Sequence, residues 1–257
     1  MKAFLRLGLV AGVLLSLFAC GKKLPTPPPP PVGQNDTTRV VLAEMFSTRN
    51  CTNCPRSDSA LHALLENYGP GQIIAVEYHP LQFPPGSVDS LGTAETEARR
   101  LSYGISSYPV CFFAGLHRTD GAPLNVYEAY EDSSGIEGKN LRSPVVLGLT
   151  ASQSGTATVQ VKALGSVPSA LVLQTVVTED SVYYRGPYQS WWRFVVRDMI
   201  PDQNGDTLRM VQGDSLTRIK GFSIQSTWRV PYLYVVAFVQ DPATKEILQS
   251  ARVKLIP

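Results

Sequence analysis

Long apolar runs are scarce in this chain of 257 residues. Leu7 to Leu17 is the one that stands out, and it is too short to cross a bilayer as a permanent helix. No later segment is apolar and long enough to do so, which argues against a helical membrane protein. An excess of one charge is lacking too. The formal net charge is +2 and the sequence carries no basic cluster, so nucleic acid is not an expected partner. Histidine occurs three times and cysteine four times. A structural zinc site needs two further ligands beside a Cys-x-x-Cys pair, and His62, His79, His117 and Cys111 form no second paired motif. No metal is therefore expected. Internal repeats are absent as well.

What is present starts at the N terminus. Lys2 and Arg6 precede the apolar run, and Leu17-Phe18-Ala19-Cys20 closes it, so residues 1–19 read as a signal peptide. The arrangement resembles the lipobox of bacterial lipoproteins. That resemblance implies cleavage before Cys20, diacylation of its thiol and attachment to a membrane through acyl chains. An ordinary signal peptide with a coincidental cysteine is the plainer alternative. Gly21-Lys22-Lys23 carries no inner-membrane aspartate signal, which points to the outer membrane. Residues 20–37 continue as a linker with little to bury. Its proline run favours extended polyproline II at about 3.1 Å per residue, a semi-rigid spacer; a proline-rich ligand for a partner domain is the competing use.

Residues 38–142 alternate strand and helix signals. "RVVLAEMF" is a strand, "CTNC" follows, and a helix runs from about Pro55 to Tyr68 with Ala60, Leu61, Leu64 and Leu65 at helical spacing. Gly69-Pro70-Gly71 stops it. "QIIAVEYH" is the second strand, Gly92 to Gly104 a helix, "YPVCFFAG" the third strand and "LHRTDGAP" a turn into a fourth. Asn125 to about Leu141 forms a last helix that Ser133 to Gly135 breaks. Such alternation predicts an α/β layer. Residues 143–257 read differently. Ala157, Val159, Val161 and Ala163 alternate with polar residues, and "ALVLQTVVTED", "WWRFVVRDM", "LYVVAFVQD" and "ILQSARVKL" follow between turns. This half predicts an all-β immunoglobulin-like sandwich, with the boundary near Arg142 to Pro144.

Acylation of Cys20 leaves Cys51, Cys54 and Cys111. Thiols that can pair tend to be oxidised outside the cytosol, and the count points at Cys51–Cys54. At a strand-to-helix turn, unpaired N–H groups and the positive helix end favour a thiolate at Cys51. Cys54, one turn further in, is placed to resolve a mixed disulfide. The same pair also serves as a plain staple that caps the helix. Pro55 suits the first helical turn.

These parts resemble the thioredoxin superfamily: "VVLAEMF" before the motif, "CTNC", "IIAVEYH" and "SYPVCFF". The resemblance implies a cis bond before Pro109, with Tyr108 offering its backbone to a substrate strand beside Cys51. It further implies a proton-handling acid at Glu44, seven residues before Cys51, which requires one extra residue in the loop. Asn50 stands where many such proteins have tryptophan, and Thr52-Asn53 replaces Gly-Pro. Cys111 reads as a buried free thiol or as a regulatory one. His79 ends its strand as a hydrogen-bonder or approaches the site. Of Trp191 and Trp192, one faces the core and the other is open to a partner. The whole chain is similar to the outer membrane protein 28-related lipoproteins, which implies an envelope lipoprotein with a thioredoxin-like domain. Two functions follow. One is thiol–disulfide exchange on exported proteins, with no organic cofactor but with a redox partner. The other is a surface or periplasmic binding protein whose Cys51–Cys54 bond is structural.

Overall fold

The computed structural model describes residues 37–136 and 141–255. The expected signal peptide, Cys20 and the proline run lie outside the described residues. The first half contributes β1 (Val41–Phe46), α1 (Cys54–Tyr68), β2 (Ile73–Tyr78), α2 (Ala94–Ser102), β3 (Val110–Phe113), β4 (His117–Asp120) and α3 (Val126–Ser134). The second half is all strand apart from one short 3-10 turn: β5 (Val145–Ser152), β6 (Thr156–Ala163), β7 (Leu171–Glu179), β8 (Val182–Tyr183), β9 (Trp191–Trp192), β10 (Val195–Ile200), β11 (Asp206–Leu208), β12 (Ser215–Gly221), β13 (Leu233–Gln240) and β14 (Ile247–Lys254).

Local chemistry sets most helix ends. Pro55 falls in the first turn of α1, and the Gly69 N–H closes that helix on the Leu65 carbonyl. Thr93 and Thr96 form a reciprocal capping box on α2. Gly135, at φ 64°, takes the left-handed conformation that ends α3. The expected break in that helix therefore sits where the glycine allows it.

β1 runs parallel to β2 and antiparallel to β3. Both inner strands are buried on both faces and are apolar apart from one glutamate each, Glu44 and Glu77. Side chains alternate between faces. Val41, Ala43 and Met45 pack with Leu61 and Leu64 of α1 and Tyr130 of α3. Leu42 and Phe46 pack on the other face with Ile74, Val76, Tyr78 and Ile105.

The second half forms a three-stranded sheet, in the order β12-β6-β5, that packs on β7, β13 and β14 through a common apolar core. Those opposing strands do not make a separate sheet. They continue the first half's sheet as β14-β13-β7-β10-β2-β1-β3-β4, nine strands with β11 paired on β7. The physical reason lies in β2. Its apolar edge needs a partner, and β10 supplies one through the Val195–Glu77 register and the Glu77 N–H bond to the Phe194 carbonyl, 2.8 Å. The chain enters β1 next to the inter-half junction, where Arg39 N–H donates to the Leu141 carbonyl at 3.0 Å and Ser143 N–H to the Thr37 carbonyl at 2.8 Å.

Candidate functional site

The loop Ser47–Asn53 leaves the C-terminal end of β1 and turns into α1. Because Phe46 pairs with Val110, the residues preceding β3 lie at that same end of the sheet. Register alone thus brings Cys51, Cys54, Tyr108 and Pro109 to one edge. Cys51 and Cys54 are joined as a disulfide, with Cα atoms 5.4 Å apart. Cys51 is the outer sulfur, at 6% exposure, and Cys54 is fully buried. The Cys54 N–H donates to Cys51 Sγ at 3.0 Å, so the start of α1 aims a backbone donor at the outer sulfur. The Tyr108–Pro109 bond is cis, and the Tyr108 ring meets Phe83 edge-on at 4.6 Å.

The loop is held from two sides. Asp89 accepts hydrogen bonds from Thr48 Oγ1 and the Arg49 N–H, both at 3.0 Å. Asn50 Nδ2 donates to the Phe83 carbonyl at 2.8 Å and to Ser87 Oγ at 2.7 Å. From the second half, Tyr184 receives the Arg49 guanidinium at 2.7 Å. Gly186 approaches so closely that a Cβ there would lie 3.1 Å from the Arg49 carbonyl oxygen.

Glu44 is buried, but strand parity directs it to the α2 face of the sheet. There Oε1 accepts from Arg99 Nη2 at 2.7 Å and Nε at 2.9 Å, and Oε2 from Tyr103 at 2.6 Å. The acids on the α1 face are Glu77, which is buried, and Asp58, which is half-buried. Asp58 lies four residues after Cys54 and so follows it on one stripe of the helix. The extra loop residue between β1 and Cys51 explains Glu44's placement, since a one-residue shift along a strand exchanges faces.

His79 is fully enclosed between two carboxylates, with Nδ1 2.9 Å from Asp89 Oδ2 and Nε2 3.3 Å from Glu77 Oε1. Burial alone would push its imidazole down. The Asp89 hydrogen bond and the charges of Asp89 and Glu77 outweigh that and hold it up, at about 10. Asp89 is desolvated too, but the His79 imidazolium and the Arg49 and Leu91 N–H groups bring its carboxyl below the ordinary range. Asp58 moves the other way. Burial and the Glu77 charge push it well up, against a hydrogen bond from Gln189 and the charges of His79 and Arg193.

Trp192 is buried and packs edge-on against His79 at 4.9 Å, while Trp191 is 58% exposed. Cys111 is a buried free thiol on the α1 face, raised by desolvation. His62 pairs with Glu66, and His117 is exposed on β4. Sequence reasoning missed Asp58, Glu77, Asp89 and Gln189. Helical spacing from Cys54 and strand parity in "IIAVEYH" were available signals for the first two. Nothing local marks Asp89 or Gln189.

No family model matches the chain, and no curated protein matches its sequence. The fold is shared with HBP35 of Porphyromonas gingivalis, at a TM-score of 0.68 and 16% identity over 86% of this chain and 76% of that one. A domain of the outer membrane lipoprotein Omp28 from Porphyromonas gingivalis aligns at a TM-score of 0.33 and 20% identity, over 45% of this chain and 90% of that domain. The class defined here is therefore a mixed α/β sheet protein with a Cys-x-x-Cys disulfide at a helix N terminus, built on the HBP35 fold.

Proposed function

We propose that the chain is a thiol–disulfide exchange protein of the bacterial envelope, thioredoxin-like around its cysteine pair and held to a membrane by lipid on Cys20. The carrying observation is the disulfide itself, which joins an outer sulfur, at the sheet end that also holds Tyr108–Pro109, to a buried one that Asp58 follows four residues later on α1. In the reduced protein the Cys51 thiolate attacks a substrate disulfide R–S–S–R′ and bonds to the R sulfur. R′–S⁻ leaves and takes a proton from water. Cys54 then gives its proton to the Asp58 carboxylate as its sulfur attacks Cys51, and R–S⁻ leaves. Two electrons pass from the dithiol to the substrate, and a dithiol partner returns them. Run backwards, the same steps oxidise a substrate dithiol. An extended substrate lies along Tyr108 in this reading. The lipobox and the absence of an inner-membrane aspartate signal after Cys20 support the location, the outer membrane in particular. The same lipobox and the motifs around the cysteine pair support kinship with the outer membrane protein 28-related lipoproteins.

Cys54→Ser tests this directly. The variant should accumulate mixed disulfides through Cys51 with envelope proteins, visible on non-reducing gels and lost on reduction. If none form, the exchange reading fails and Cys51–Cys54 is a staple. A second reading would then stand on the exposed Tyr183–Trp191 pair, whose rings lie 5.1 Å apart, as the surface of a binding protein.

A further inference from the structure

The β8–β9 hairpin belongs to the second half of the chain yet ends on the cysteine helix. Gln189 Nε2 donates to Asp58 Oδ2 at 2.5 Å across 131 residues. Two more contacts fix the hairpin to the same region: Arg49 on Tyr184, and Arg193 Nη1 on His62 Nδ1 at 2.9 Å. The turn that carries Gln189 is itself closed by the Gly186 N–H on the Gln189 carbonyl, 2.9 Å. A Cβ at 186 would lie 2.8 Å from that carbonyl oxygen. The tip is thus built so that Gln189 sits against α1 one turn below Cys54.

We infer that Gln189 is a positioning residue for Asp58, and that through this bond the β8–β9 hairpin sets the pH range over which Cys54 trades its proton during exchange. The inference rests on the exchange reading. A carboxylate oxygen fixed by an amide N–H is favoured in its charged form, and the charged form is the one able to accept the Cys54 proton. The other groups facing Asp58 are Glu77 and His79 from the end of β2, Arg193 after β9, Cys111 from β3 and Tyr130 from α3. Burial and Glu77 favour the protonated carboxyl, while His79, Arg193 and Gln189 oppose this. Of the opposing three, Gln189 alone donates a hydrogen bond to Asp58 among the described residues.

The experiment uses the reduced full chain mixed rapidly with an aromatic disulfide that releases a coloured thiolate. Attack by Cys51 releases one equivalent, and resolution by Cys54 releases a second. The pH profile of the second phase is the readout. In Gln189→Leu its rise should move to higher pH, with resolution roughly tenfold slower near neutrality, since a hydrogen bond to a charged group is worth about 1.5 kcal/mol or more. The first phase should stay unchanged. Gln189→Asn, a milder form of the same change, should shift the profile in the same direction and guards against a folding defect in the leucine variant. Asp58→Asn should abolish the pH rise. A second phase that slows equally at every pH, or does not change, overturns the inference and leaves exchange standing. Absence of a second phase in the unaltered chain overturns the exchange reading beneath it.

Discussion

His79 sits where a neutral imidazole would leave Glu77 and Asp89 without a counter-charge. Its folded value lies at about 10 against an ordinary 6.5. A group raised in this way stabilises the fold fully below its unfolded value and loses that contribution as pH rises through the folded one. Urea midpoints should therefore fall between about pH 7 and pH 10, and the difference from His79→Gln should carry that slope, because other raised groups cancel in the difference. A flat difference would mean that the imidazole is not charged in the folded protein. Glu44 offers the complementary test. Glu44→Gln leaves the Arg99 guanidinium buried without its carboxylate, a loss of about 3 kcal/mol or more that a denaturant titration would register. Its resolution kinetics should keep the wild-type pH profile, because Glu44 lies across the sheet from Cys54. A shifted profile would return the proton-handling role to Glu44.

Among the elements, those governed by neighbours in sequence were legible. The α1 register, the stop at Gly69, the strand around Ala75 and the break at Gly135 all follow from periodicity and punctuation. The disulfide was legible from the cysteine count, and the cis bond before Pro109 from the resemblance carried by the order of strand, Cys-x-x-Cys and later proline. What escaped depends on contacts distant in sequence. Glu77 is set apart from Glu44 only by strand parity, and a loop one residue longer reverses that assignment. Asp89 reaches the cysteine loop from a proline-rich segment with no periodic signal. The β8–β9 hairpin consists of two residues on each side, too few for alternation to show. Its place beside α1 is fixed by tertiary bonds alone.

For the whole molecule, the shared sheet matters most. Val176, Val196, Met199, Val236 and Phe238 from the second half close one apolar cluster with Leu42, Phe46, Ile74 and Phe112 from the first. No sequence pattern announced this, because the join between β2 and β10 is a single register pair. Among the described residues all three α-helices lie within residues 54–134, whereas the three tryptophans are Trp191, Trp192 and Trp228. The helical far-UV signal therefore reports the first half and tryptophan fluorescence the second. Their denaturation curves should coincide, as a single cooperative unit requires; two separate midpoints would show that the halves fold independently. The entry point of the chain has a different consequence. Arg39 clasps Leu141 at the start of β1, and the cysteines follow its far end, six residues on, or about 20 Å at the rise of a strand. Any load applied to the chain at Thr37 therefore enters the fold at the end of β1 opposite the disulfide edge.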